Sequence, residues 1–228
     1  MKLIVFDLDG TLAELGKGIT DENLALLKRL CGRYKVAVCS GKPVYYLCGF
    51  MRQAGIDAPV LLGENGATVM FGVDLPPKEY YRLPCDNLSL DNIAKIKALV
   101  EKRFDGSLWC QPNDVCYTPF PENEEQFLII DKLLESNEEL LNGVDVYKHS
   151  DSYDFVPKGV NKATGVEYLC KLTGIEKNDV CAVGNGVNDY PMFDFAGYSV
   201  GINLPDTKKA DVNFNALKPA LEHLINLK

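Results

Sequence analysis

The sequence predicts an α/β protein in which a parallel sheet with crossover helices is interrupted once by a smaller α+β unit. Three observations predict it. Short apolar runs alternate with amphipathic helical stretches from the N-terminus to about residue 71. Near Pro76-Pro77 this rhythm gives way to helix, hairpin, helix, hairpin. From about Asn161 the strand–helix alternation returns and runs to the end. The parallel domain is therefore expected over 1–77 and 158–228, and the inserted αββαββ unit over 78–157.

Each element has a local cause. Lys2 to Phe6 is a short apolar run, the mark of a buried strand. Thr20 is placed to cap a helix whose first turn carries Asp21 and Glu22. Leu24, Leu27, Leu30 and Cys31 form its apolar stripe, and Gly32 ends it. Lys35 to Cys39 reads as a second strand, and Pro43 as the first residue of the next helix, closed by Gly55. Pro59 to Leu62 and Thr68 to Phe71 are further strands around Gly63-Glu64-Asn65-Gly66-Ala67. In the inserted unit, Ile93, Ile96, Leu99 and Val100 predict a helix over 91–104. Strands over 107–111 and 115–120 are expected about a turn at Pro112-Asn113-Asp114. A helix over 123–136 and strands over 144–148 and 154–157 complete the unit. The returning core reads as a helix over 161–172, a strand over 179–183 and a helix after Asp189. Strands over 199–202 and near Val212 follow, with a final helix from Leu217.

Composition narrows the function. The chain of 228 residues carries a net charge of −8 with its acidic residues dispersed, which argues against nucleic acid and anionic membrane as partners. No apolar run approaches the roughly 20 residues of a membrane span, and the start does not resemble a signal peptide. The eight cysteines include no Cys-x-x-Cys pair, and both histidines, His149 and His223, lie apart from them. They read as reduced thiols of a cytoplasmic protein.

Four polar groups fall just after predicted strands or at a helix start facing them, where parallel sheets gather ligands. Asp7 and Asp9 close the first strand, two residues apart, so both carboxylates meet on one face before Gly10 turns the chain. Alone, the pair reads equally as an acidic turn or as a site for a hard divalent cation. Ser40-Gly41 reads alone first as a loop and cap, but beside a helix N-terminus it also suits an anion. Lys162 reads alone first as a solvated first-turn lysine, and otherwise as a cation for a phosphate. The run Gly184 to Asp189 is either an Asn/Gly turn or the completion of a magnesium site.

Taken together, Val5-Phe6-Asp7-Leu8-Asp9-Gly10-Thr11, Ser40, Lys162 and Gly184 to Asp189 resemble, in order and strand context, the four motifs of the haloacid dehalogenase (HAD) superfamily. The resemblance implies a Rossmann-like core, and the place and order of 78–157 imply a type-IIB cap. Archaeal-type phosphoglycolate phosphatases, sucrose-phosphatase-like enzymes and Cof-type sugar phosphatases are the nearest groups. It implies a Mg2+-dependent phosphomonoester hydrolase acting on a small phosphorylated metabolite. In that reading Asp7 is the nucleophile and Asp9 the general acid/base. Ser40, Gly41, Lys162 and Asn188 hold the phosphoryl oxygens. Asp7, the main-chain carbonyl of Asp9, Asn185 and Asp189 are the candidate metal ligands. Lys42, Glu64 and Asn65 are candidate substrate contacts, with Gln111, Tyr117 and Tyr153 in the cap. Two residues depart from the pattern: Lys42 where many relatives carry Arg, and Asn185 where most carry a metal-binding Asp. A phosphomutase and a non-catalytic binder of phosphorylated ligands remain alternatives, and the oligomeric state is left open.

Overall fold

The computed structural model describes residues 1–227. In chain order the strands and helices begin with β1 (Leu3–Phe6), α1 (Asp21–Cys31), β2 (Lys35–Cys39), α2 (Val44–Gln53), β3 (Val60–Gly63), β4 (Thr68–Phe71) and β5 (Tyr80–Arg82). They continue with α3 (Asn87–Phe104), β6 (Trp109–Cys110), β7 (Pro119–Phe120), α4 (Glu124–Glu135), β8 (Val144–Lys148) and β9 (Tyr153–Pro157). The last are α5 (Lys162–Thr173), β10 (Val180–Gly184), α6 (Tyr190–Phe195), β11 (Tyr198–Ile202), β12 (Val212–Phe214) and α7 (Leu217–Asn226). The chain divides into two compact units, Met1–Tyr81 with Asn161–Lys228, and Arg82–Val160.

The first unit is built on an eight-stranded sheet in the order β12-β11-β10-β1-β2-β3-β4-β5. Pairing is parallel from β12 through β3 and antiparallel between β3 and β4. Both faces are covered, so the central strands are apolar throughout rather than alternating. Ile4 and Phe6 of β1 join Leu27, Leu30, Met51, Leu221 and Leu224 from α1, α2 and α7 on one face. Leu3 and Val5 join Val166, Leu169, Met192 and Phe193 from α5 and α6 on the other. Burying a side chain of this size contributes roughly 1.5–3 kcal/mol, so the sheet does not depend on any single pair.

The second unit packs Ile93, Ile96, Val100 and Phe104 of α3 and Ile130 of α4 against Tyr117, Val144, Tyr153 and Phe155. Tyr117 and Tyr153 stack on Phe155 at centroid distances of 5.8 and 6.0 Å. The two tyrosines are therefore core residues, not the ligand contacts expected of them. Buried Gln111 is held in a chain of side-chain bonds with Asn113 and Thr118.

Several boundaries differ from expectation for local reasons. α3 starts at Asn87 because Asp86 caps it, accepting from Ser89 N–H at 2.9 Å. Pro43 is the N-cap of α2 rather than its first residue. The strands expected over 107–111 and 115–120 shrink to the two-residue ladder of β6 and β7. Beyond that ladder Gln111 N–H still donates to Thr118 O at 2.9 Å, but Pro112 offers no N–H. Tyr117 pairs instead with Phe155 of β9 through backbone bonds of 3.0 and 2.9 Å, while the Gln111–Asn113–Thr118 side-chain bonds also hold the loop. β5 was not expected at all; it extends the large sheet past Pro76-Pro77. None of the eight cysteines is in a disulfide. Among the described residues no helix is long and apolar enough to cross a membrane.

Candidate active site

The site forms where β1, β2 and β10 end. Phe6 pairs with Val38 on one side and Val183 on the other, and Asp7 N–H donates to Val183 O at 2.8 Å. The next residues of all three strands thus emerge side by side: Asp7, Ser40 after Cys39, and Asn185 after Gly184. The chain then folds back on itself, with Gly10 N–H donating to Ala13 O and Ala13 N–H to Leu8 O. Gly10 has φ +84°, and a Cβ there would run into the Asn185 side chain. Both facts require glycine.

Lys162 is the first residue of α5, whose N-cap Asn161 accepts from Ala163 and Thr164 N–H while Thr164 Oγ1 accepts from Asn161 N–H. This capping box fixes the direction of the first turn. The ammonium donates to Asp7 Oδ1 at 2.5 Å and to Asp189 Oδ1 at 2.6 Å. All three groups are buried, with 1% of Lys162, 5% of Asp7 and none of Asp189 exposed. The other oxygen of Asp189 accepts from Asn185 N–H at 2.8 Å and Gly186 N–H at 2.9 Å. Asp189 was expected to ligate a metal; with both oxygens engaged and no exposure, it instead positions Lys162 and the Asn185 loop.

One ammonium between two carboxylates leaves an excess negative charge in a buried place. Burial raises the Asp7 carboxyl above its ordinary range, and Asp189 adds to the rise, although Lys162 and Thr11 oppose it. For Lys162 burial favours the neutral amine, but Asp7 and Asp189 outweigh it and hold the ammonium above the usual lysine range. The neighbouring Cys39 thiol is pushed up to about 12 by burial, so it is no nucleophile at neutral pH.

Asn185 lies against the opposite side of Asp7. In the orientation that satisfies its surroundings, its amide nitrogen donates to Asp7 Oδ2 at 3.1 Å, Asp9 O at 3.3 Å and Thr11 Oγ1 at 3.0 Å. Thr11 is buried and was assigned no role from the sequence, although it stands inside the Asp-x-Asp-Gly-Thr string that could have marked it. Among the described residues no three His, Cys, Asp or Glu side chains cluster to hold a metal. The oxygens available are those of Asp7 and the Asp9 main chain, joined by the Asn185 amide oxygen when the amide is turned the other way, with Oδ1 accepting from Thr11 Oγ1 at 3.0 Å. All are hard donors, and with the residual negative charge they fit a cation such as Mg2+.

The remaining candidates are placed less directly. Ser40 is buried, with its N–H on Leu62 O at 3.0 Å and its Oγ accepting from Lys42 N–H at 3.2 Å. Asn188 is exposed beside Gly186. Lys42 and Asn65 are half-buried, whereas Glu64 is buried and presents no free surface to a substrate.

A family model described as haloacid dehalogenase-like hydrolase matches residues 4–152 and 111–205. The phosphoglycolate phosphatase of Methanococcoides burtonii is 26% identical over 212 residues, covering 91% of this chain and 85% of the relative. Phosphoglycolate phosphatase 1 of Saccharolobus solfataricus is 27% identical over 219 residues, covering 93% and 87%. Among solved structures, a haloacid dehalogenase-like hydrolase from Bacteroides thetaiotaomicron superposes with a TM-score of 0.79 at 19% identity, covering 98% of this chain and 99% of that one. A sugar phosphatase of HAD subclass IIB superposes with a TM-score of 0.69 at 18% identity, covering 98% and 99%.

Proposed function

The chain belongs to the haloacid dehalogenase-like hydrolase family, and from that premise we propose a magnesium-dependent phosphatase that cleaves a small phosphorylated metabolite through an aspartyl-phosphate on Asp7. The observation that carries this reading is the buried Asp7–Lys162–Asp189 chain. It holds one carboxylate oxygen of Asp7 in a fixed direction and keeps a cation beside it, an arrangement suited to an anionic phosphoryl group.

Asp7 attacks phosphorus as the bond to the leaving oxygen breaks, and Asp9 gives its proton to the departing alkoxide. Asp9 then takes a proton from water, which attacks the aspartyl-phosphate, frees phosphate and restores the Asp7 carboxylate. Lys162, Ser40 and the Gly41 N–H hold the phosphoryl oxygens, so catalysis is chiefly positioning and charge stabilisation. Asn188 is assigned to the same group of contacts. Asp7, the Asp9 carbonyl and Asn185 would hold Mg2+, which when bound neutralises phosphoryl charge. We assign the choice of leaving group to the inserted unit, Arg82–Val160. The names of the relatives make small sugar phosphates and phosphoglycolate the first substrates to try. A phosphate-release screen over both groups in Mg2+, with Asp7→Asn as blank, tests the reading. No release above blank from any of them would count against it.

Asp9→Asn keeps the main-chain carbonyl but loses the proton carrier. Dephosphorylation of the intermediate is expected to slow by roughly 10²–10⁴, measured by rapid quench. Equal, mild effects on every step would make Asp9 a structural residue only.

Asn185→Asp replaces a neutral amide by a carboxylate among Asp7, the Asp9 carbonyl and Asp189. Without metal it adds repulsion, because the amide donor to Asp7 Oδ2 is lost. With Mg2+ it adds attraction. The magnesium-induced rise in melting temperature is therefore expected to be larger than in the native protein, and half-maximal activity to need less Mg2+. An unchanged titration by both readouts would place Asn185 outside the metal's ligands.

A further inference from the structure

Ser40 and Lys162 are far apart in sequence, yet both must meet one phosphoryl group. The turn between β3 and β4 touches the segments that carry them. Its residues Glu64, Asn65 and Gly66 have φ of +55°, +57° and +97° in succession. Two consecutive non-glycine residues in the left-handed region are costly and persist only where the surroundings hold them. Here Glu64 N–H donates to Lys42 O at 3.0 Å and Asn65 N–H to Ser40 O at 2.9 Å. The turn thus grips the Ser40–Lys42 loop by its carbonyls, and the Asn65 amide lies about 3.5 Å from where a Cβ on Gly41 would stand.

The other side of the turn meets α5. A Cβ on Gly66 would stand 2.7 Å from Gly165 Cα and 3.0 Å from Asn161 O. A Cβ on Gly165 would overlap Gly66 Cα and stand 2.9 Å from Gly66 O. Backbone is packed on backbone with no room for a side chain on either. Gly165 N–H donates to Asn161 O at 3.0 Å, so the contact is made in the helical turn that presents Lys162. Glycine inside a helix is otherwise unfavourable, and this close approach accounts for it.

We infer that the β3–β4 turn is a positioning element that sets the Ser40 loop and the Lys162 end of α5 at one separation, through the Glu64 and Asn65 N–H bonds and the Gly66–Gly165 contact. The inference rests on the proposed phosphoryl-holding roles of Ser40 and Lys162.

Gly165→Ala tests it. Helix propensity alone favours alanine there, so a purely local view predicts a more stable and equally active protein. The contact predicts instead that the new methyl pushes the Lys162 turn off Gly66. The kcat for 4-nitrophenyl phosphate is then expected to fall at least about tenfold, and inhibition by orthovanadate to weaken by a similar factor. Gly174→Ala is the control on the same helix: Gly174 is left-handed at φ +68° with nothing within 4 Å of a Cβ. That change is expected to lower the melting temperature by about 2–4 °C and leave both kinetic readouts unchanged. Folded Gly165→Ala with both readouts at native values overturns the inference.

Should Gly165→Ala not fold, hydrogen exchange of the native protein decides. Orthovanadate is expected to protect the Glu64, Asn65 and Gly165 amides together. Protection around Ser40 and Lys162 that omits Glu64 and Asn65 overturns the inference. Native protein that neither hydrolyses the ester nor binds orthovanadate overturns the phosphatase reading, and the inference with it.

Discussion

Asp7→Asn is expected to lower turnover by at least about 10⁴-fold, the scale on which removal of an enzymic nucleophile acts. The amide keeps the shape of the carboxylate and loses the attacking oxygen. Stability is expected to move the other way. In the folded protein burial and Asp189 raise the Asp7 carboxyl, so the folded state keeps that proton to higher pH than the unfolded chain. A group of this kind opposes folding as pH rises from the ordinary carboxylate range through its raised value, and the cost is full above it. Asparagine removes the cost and leaves Lys162 paired one-to-one with Asp189. The melting temperature in a chelator at neutral pH is therefore expected to equal or exceed that of the native protein. Near-native single-turnover rates would sink the nucleophile assignment, and a large drop in stability would sink the charge argument.

Lys162→Met is expected to damage both properties. Methionine fills much of the same volume but leaves Asp7 and Asp189 buried without their shared partner. Breaking a buried ion pair in this way typically costs about 3–5 kcal/mol, readable as a shift in urea midpoint at constant slope. Lys162 opposes the rise of the Asp7 carboxyl, so without the ammonium the fold keeps the Asp7 proton to still higher pH than the unfolded chain. Stability must then recover as pH falls through the carboxylate range, and the gap to native protein must narrow toward acid. A gap that stayed constant with pH would point to lost packing instead. Turnover is expected to fall by about 10²–10³, as when one preorganised donor to a developing oxyanion is removed.

Much of the first unit was legible because its signals are local. The apolar runs of β1, β2 and β10 and the cap Thr20 act within a few residues, and each stands within a residue of where the chain alone placed it. Asn123 and Asn161, expected as the first residues of their helices, are instead the N-caps. β5 and the shrunken β6–β7 ladder were not legible. Their pairing depends on partners and side-chain bonds that local pattern does not encode.

The site divides in the same way. The sequence by itself determined which groups stand at strand ends and helix starts: Asp7 and Asp9, Ser40, Lys162 and the Gly184–Asp189 run. Spacing and periodicity suffice for that. Only the tertiary structure decided what those groups do to one another. Asp189 became a partner of Lys162 and two loop N–H groups rather than a metal ligand. Thr11 and Asn185 met across Asp7, and Gly66 closed on Gly165. Those outcomes are set by burial and by distances between segments far apart in the chain. Charge pairing and steric contact fall off within a few ångströms, so no pattern read along one dimension can supply them.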